Sequence, residues 1–181
     1  MSSETFRTIG IDPGSRVTGI GVIETRGQSL HYIHSECVRV GAGPLGARLV
    51  AIHQRIQAVI GRFQPTSGAI EKVFVSANPQ SALVLGQARG SALLALAQSE
   101  LEISEYSALE IKRAITGTGR AGKEQVQHMA RVLLGMDRKP AQDAADALAC
   151  AICHLHHAES RLRQTVAGVS VLAEDAGSAR R

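Results

Sequence analysis

The chain has only three cysteines, Cys37, Cys150 and Cys153, an odd number that cannot make a full disulfide framework. A reducing compartment is the expectation. The start, Met1-Ser-Ser-Glu-Thr-Phe-Arg, has no apolar leader core, and no apolar run anywhere is long enough to cross a bilayer. Neither export nor membrane insertion is signalled, and the cytoplasm is the default. No segment repeats, which excludes a solenoid or a propeller.

What is present is 181 residues with 44% hydrophobic content, enough to bury one ordinary core. We expect a single domain over residues 1–163. Residues 164–181, rich in Ala, Gly and Ser and without a sustained period, are expected to form a disordered tail. The net charge of +4 and isoelectric point near 9.3 are too common to identify a polyanionic partner. Distribution says more. Between residues 112 and 139, Lys112, Arg113, Arg120, Lys123, Arg131, Arg138 and Lys139 face only Glu124 and Asp137. Such a basic stretch suits a nucleic-acid backbone, although a solvated helix face would look the same.

Alternating apolar residues predict strands over Phe6–Asp12, Thr18–Glu24 and Leu30–Val40, a meander whose first turn carries Pro13-Gly14. Leu45, Leu49, Ile52, Ile56, Val59 and Ile60 recur at helical spacing after Pro44. Ser67–Phe74 reads as the next strand, and Asn78-Pro79 as the cap and first residue of a helix reaching about Glu100. In that helix Gly86 and Gly90 suggest a close contact, either within the core or with a partner subunit. Leu101–Tyr106 is a fifth strand, followed by helices over Ala108–Ile115, Glu124–Leu134 and Asp143 to about Arg163. The order βββαβαβααα predicts an α/β fold, a mixed five-stranded sheet with helices on both faces.

Four acids stand out on these elements. Asp12 ends a central strand and points to the face opposite Ile9 and Ile11. Glu71 sits in the apolar strand Ser67-Gly-Ala-Ile-Glu-Lys-Val-Phe, where a carboxylate is costly unless paired or bound to a cation. Asp143-Ala-Ala-Asp146 places two acids on one helix face among alanines small enough to let the helix approach the sheet. Together they would repel one another without metal, and oxygen ligands suit Mg²⁺ or Mn²⁺ better than zinc. Singly each has a bland explanation: a turn, a helix N-terminus, a solvated face or an ion pair.

The segments Ile9-Gly-Ile-Asp-Pro-Gly-Ser-Arg-Val-Thr-Gly, Ala69-Ile-Glu-Lys-Val-Phe, Leu85-Gly-Gln-Ala-Arg-Gly, Gln125-Val-Gln-His-Met and Asp143-Ala-Ala-Asp-Ala-Leu-Ala resemble, in order, the motifs of the RuvC Holliday junction resolvases. The resemblance runs from about Ile9 to His157. It implies a ribonuclease-H-like fold, a homodimer, and paired nicks in strands of like polarity at a four-way DNA junction. It implies that Asp12, Glu71, Asp143 and Asp146 bind Mg²⁺, two ions per subunit, with Mn²⁺ as a substitute. Lys112 and Lys123 match basic residues near the scissile strand, and Phe74 an aromatic that stacks at the junction centre. Arg89 and Arg120 are further candidates for nucleic-acid contact, and a junction-binding, branch-migrating motor is the implied partner. The rival is a catalytically silent junction-binding module on the same scaffold.

Three other motifs mislead. Gly117-Thr-Gly-Arg-Ala-Gly-Lys123 imitates a nucleotide loop, but a helix is expected before it and Glu124 replaces the magnesium-binding hydroxyl residue. Cys150-Ala-Ile-Cys153-His154 imitates a haem or zinc motif inside what reads as a continuous helix, where packing is the expected role. Asp12-Pro-Gly-Ser15 resembles the phosphate loop of actin-like ATPases, which need two such domains around the nucleotide.

Overall fold

The structure, a computed structural model, describes residues 5–27, 29–73, 78–158 and 160. The expectations placed on residues 1–4, on Phe74 and on the tail 164–181 lie outside the described residues. Strands β1 (Thr5–Asp12), β2 (Val17–Arg26) and β3 (Ser29–Arg39) form the meander. Helix α1 (Leu45–Phe63), strand β4 (Ser67–Glu71), helix α2 (Pro79–Ala97) and strand β5 (Glu102–Tyr106) follow. Helices α3 (Ala108–Thr116), α4 (Lys123–Leu133) and α5 (142–158) complete the described part.

The strands form one sheet in the order β3-β2-β1-β4-β5. The β1–β2 and β2–β3 pairs are antiparallel, whereas β1–β4 and β4–β5 are parallel, so the sheet is mixed as expected. Alternation along the strands separates two cores. Ile9, Ile11, Ile20, Val22 and Ile70 pack with Ile52, Ile56 and Val59 of α1 and Ala88, Ala92 and Leu96 of α2. Ala69 and Tyr106 face the other way, toward Ile111 and Ile115 of α3, Val126 and Ala130 of α4, and Leu148 and Ile152 of α5. Helices therefore cover both faces.

Local chemistry accounts for the helix starts. Asn78 accepts from the backbone N–H groups of Gln80 and Ser81 at 3.0 and 3.3 Å, with Pro79 at the first helical position. Ser107 and Glu110 form a reciprocal capping box at α3.

Two expectations need correction. Strand β4 ends at Glu71, not at Phe74. Its neighbours stop at the same level, β1 at Asp12 before Pro13 and β5 at Tyr106, so after the Lys72 N–H, which still donates to the Tyr106 carbonyl, neither neighbour offers a further strand residue. Among the described residues Gly86 and Gly90 also make no close contact, because a Cβ added at either meets nothing within 4 Å. Core packing is not their role.

A carboxylate cleft at the ends of two parallel strands

Asp12 and Glu71 end adjacent parallel strands, one register step beyond the Ile11–Ile70 pair. Both point to the face covered by α3, α4 and α5, since Gly10 and Ala69, two residues earlier, lie on that face. Helix α5 crosses there, carrying Asp143 and Asp146 in its first turns. The four carboxylates line a single cleft of about 230 Å³ with Ala108, Ile111, Lys112, Lys123 and Val126.

Glycines set the closeness of this approach. Gly10, Gly19 and Gly21 share the face of Asp12, because Gly10 pairs with Gly21 and Asp12 with Gly19. A Cβ on Gly10 would stand 2.1 Å from the Ala147 carbonyl oxygen, and one on Gly21 would stand 2.8 Å from the Leu148 nitrogen. Real side chains cannot approach so closely, so only glycine lets α5 lie on the strands at this distance. The alanines of α5 were legible as the helix side of this contact. The matching glycines, spaced by two in Gly19-Ile-Gly21, were the overlooked signal.

The turn after Asp12 is also fixed. Thr18 is buried; its hydroxyl donates to the Gly14 carbonyl at 3.2 Å and accepts from the Gly14 N–H at 3.4 Å.

Burial and mutual repulsion govern the acids. Asp12 is pushed up to about 8, first by burial and then by the charges of Glu71, Asp146 and Asp143, with Lys123 opposing. Burial, followed by Asp146, raises Glu71, and Lys112 and Lys123 counter it. Asp146 is raised by burial too, opposed first by Gln142, whose side-chain amide donates to both carboxylate oxygens at 3.2 Å. Sequence reading missed Gln142, which sits one turn before Asp146.

An all-oxygen donor set whose mutual repulsion the two lysines offset only in part is the chemistry a hard divalent cation relieves. As placed, however, no three His, Cys, Asp or Glu side chains among the described residues form a group that could hold an ion, so the carboxylates line the cleft without being gathered around one point.

The basic candidates separate. Lys112 is half-buried on α3 and Lys123 exposed at the start of α4, and both line the cleft. Arg120 is exposed in the loop before α4. Arg89 is held within the chain and is only partly exposed. Its guanidinium pairs with Glu105, its Nε–H donates to the Glu71 carbonyl at 3.2 Å, and its side chain is only 19% exposed.

Cys150 and Cys153 are fully buried in the α3–α5 core, and burial holds their thiols up, Cys153 to about 12. Protonated buried thiols are poor metal ligands. His154 beside them is buried, with its Nδ1 3.0 Å from the Tyr106 hydroxyl. The Gly117–Gly122 loop follows helix α3, so the strand-loop-helix geometry of a nucleotide loop is absent there.

Residues 8–154 match the family model described as crossover junction endodeoxyribonuclease RuvC. A protein of that name from Marinobacter nauticus is 51% identical over 163 residues, which cover 90% of this chain and 93% of the relative. One from Azoarcus is 50% identical over 150 residues, covering 83% and 82%. Among solved structures, Thermus thermophilus RuvC in complex with Holliday junction substrate superposes with a TM-score of 0.80 at 33% identity, covering 84% of this chain and 94% of that one. The yeast mitochondrial Holliday junction resolvase Ydc2, at 11% identity and a TM-score of 0.62, shares the fold. With a family match across most of its length and relatives at half identity, the chain belongs to the RuvC family of crossover junction endodeoxyribonucleases.

Proposed function

We propose that the chain resolves Holliday junctions by divalent-metal-assisted hydrolysis at this cleft, with Asp12, Glu71, Asp143 and Asp146 as the metal-holding acids. The observation that carries this reading is that four carboxylates from two strands and one helix line one cleft beside two lysines, an environment that lifts Asp12 to about 8. When bound, Mg²⁺, two ions per subunit and replaceable by Mn²⁺, supplies water activation and stabilises the leaving oxygen.

The protein's own groups do the rest. Asp12 and Glu71 stand at strand ends, and α5 brings Asp143 and Asp146 into the same cleft. Lys112 and Lys123 place positive charge where a scissile phosphate would enter. Arg120 suits the DNA backbone, which fixes register without reading sequence. Phe74, outside the described residues, is assigned a wedge role at the junction centre by family resemblance.

A junction presents two equivalent strands, so symmetric cleavage asks for two sites. Helix α2 suits a homodimer contact: Leu83 and Leu94 are exposed on it by 57% and 52%, and Gly86 and Gly90 are open to a partner. The junction complex of the similar Thermus thermophilus protein supports the substrate. A branch-migrating motor as further partner follows from the family. No described helix is long and apolar enough to cross a membrane, and the three free thiols suit the cytoplasm.

The test is cleavage of a synthetic four-way junction with and without Mg²⁺. Paired nicks that require metal, lost in Asp12→Asn and Asp146→Asn while junction binding survives, are expected. Binding without metal-dependent cleavage by the intact protein would establish the silent-module alternative instead.

A further inference from the structure

Strand β4 delivers Glu71 at its last residue, where the ladder to β1 breaks off. The Lys72 N–H donates to the Tyr106 carbonyl on β5, at 2.7 Å. Backbone groups alternate sides along a strand, so the N–H and C=O of Glu71 point the other way, toward β1. In a parallel ladder continued one step past Ile11–Ile70, the Glu71 carbonyl would accept from the N–H of residue 13. Residue 13 is proline and has none. A partly buried carbonyl without a donor is costly, and here the donor comes from outside the sheet. Arg89 of α2 supplies its Nε–H at 3.2 Å, and Glu105 of β5 holds the same guanidinium through an ion pair.

Resting on the proposed metal-holding role of Glu71, we infer that Arg89 is a positioning residue: it replaces the ladder bond that Pro13 cannot make and so fixes where the Glu71 carboxylate stands. The device spans the sheet. Arg89 and Glu105 lie on the α2 side, since Glu105 stands two residues after Ile103 of that core and shares its face, while the Glu71 carboxylate opens into the cleft on the opposite side. Arg89 never reaches the reacting atoms; it holds the peptide from which one ligand projects. A few tenths of an ångström at that peptide becomes a misplaced carboxylate at the metal site.

Arg89→Met and Arg89→Lys should both slow single-turnover cleavage of bound junction by about 10- to 100-fold, because methionine donates to neither partner and lysine lacks the fixed fork whose two nitrogens serve Glu71 and Glu105 separately. Both should weaken Mn²⁺ binding to the DNA-free protein, measured by titration. Junction affinity and its salt dependence should stay at wild-type values. Adding Pro13→Ala to Arg89→Met restores an N–H at position 13 and should recover part of the rate, which no surface role for Arg89 explains. In the intact protein the Arg89 Nε–H, followed by nuclear magnetic resonance, should exchange slowly with solvent.

Three results overturn the assignment: rapid exchange of that proton, unchanged Mn²⁺ affinity in Arg89→Met, or an Arg89→Met protein that cuts normally once bound but binds with a salt slope smaller by about 1, the signature of a phosphate contact. Failure of the intact protein to cut with Mg²⁺ would instead refute the proposed function, and proton exchange with Mn²⁺ affinity would still decide Arg89's place.

Discussion

Gly19 of β2 lies so close beneath Asp143 of α5 that a methyl group built on it would stand 1.9 Å from the Asp143 carbonyl oxygen. That spacing ties the position of a helix-borne acid to the absence of a side chain on a neighbouring strand. It also explains why three glycines gather on one face of β1 and β2, where strand propensity alone disfavours them.

Gly19→Ala should therefore push the start of α5 outward. Overpacking of this kind costs about 1–3 kcal/mol, measurable by urea denaturation. Cleavage should fall further than the lost stability explains, with junction binding retained. Normal cleavage by a folded Gly19→Ala protein would show that this spacing does not set the acids.

The acids also imprint a pH dependence on stability. Asp12 is held near 8 in the fold against an ordinary value of 3.8, so between these values the native state binds more protons than the unfolded chain. Its contribution to metal-free stability is greatest below about 4 and is lost as pH rises toward 8. Glu24, held down by Arg7 and Arg26, acts oppositely, stabilising above its ordinary 4.5 and failing in acid. Melting temperatures without metal should decline from mildly acidic conditions toward pH 8. Asp12→Asn should flatten that decline and raise the melting temperature at pH 8.

Divalent cations should act on the same balance. If Mg²⁺ binds the carboxylates in the native state alone, as proposed, it should raise the melting temperature of the intact protein at pH 8. The increase should shrink in Asp12→Asn and in Asp146→Asn. An equal increase in all three proteins would place the bound ion elsewhere.

The lysines predict a division of labour. Lys123 is exposed, and its removal should weaken junction binding and lower the slope of log affinity against log salt by about 0.9. Lys112 is half-buried beside Glu71, and Lys112→Ala should mainly slow cleavage of bound junction, as single-turnover rates at saturating protein would reveal.

Cys150 and Cys153 lie wholly inside the core, so replacing both with alanine should cost stability, about 1–2 kcal/mol, and leave metal-dependent cleavage intact. Zinc or haem that purifies with the parent protein and vanishes from this variant would support the opposite role.

Much of this was readable in the chain. Alternation placed Ile9 and Ile11 in one core and Asp12 on the far face, and the isolated Glu71 marked a carboxylate that burial alone would not tolerate. Asp143 and Asp146 shared a helix face by spacing. What escaped notice depends on backbone geometry that residue identity does not encode. Where β4 stops is decided by its neighbours, not by Val73 or Phe74. Arg89 reads as a DNA contact because it is basic and lies in a family motif; that its Nε–H meets the Glu71 carbonyl, which faces a proline at position 13 on the neighbouring strand, is visible only in the fold. Gln142 and the Gly19-Ile-Gly21 pair likewise gain meaning only once α5 lies on the sheet.

Helix α5 carries Asp143 and Asp146 at one end and Leu148 and Ile152 in the fully buried centre of the molecule. A molecule that has begun to melt would thus surrender its proposed cutting residues together with its interior. Heat, denaturant or a damaging substitution should leave behind an inert chain rather than a relaxed nuclease that nicks duplex DNA indiscriminately.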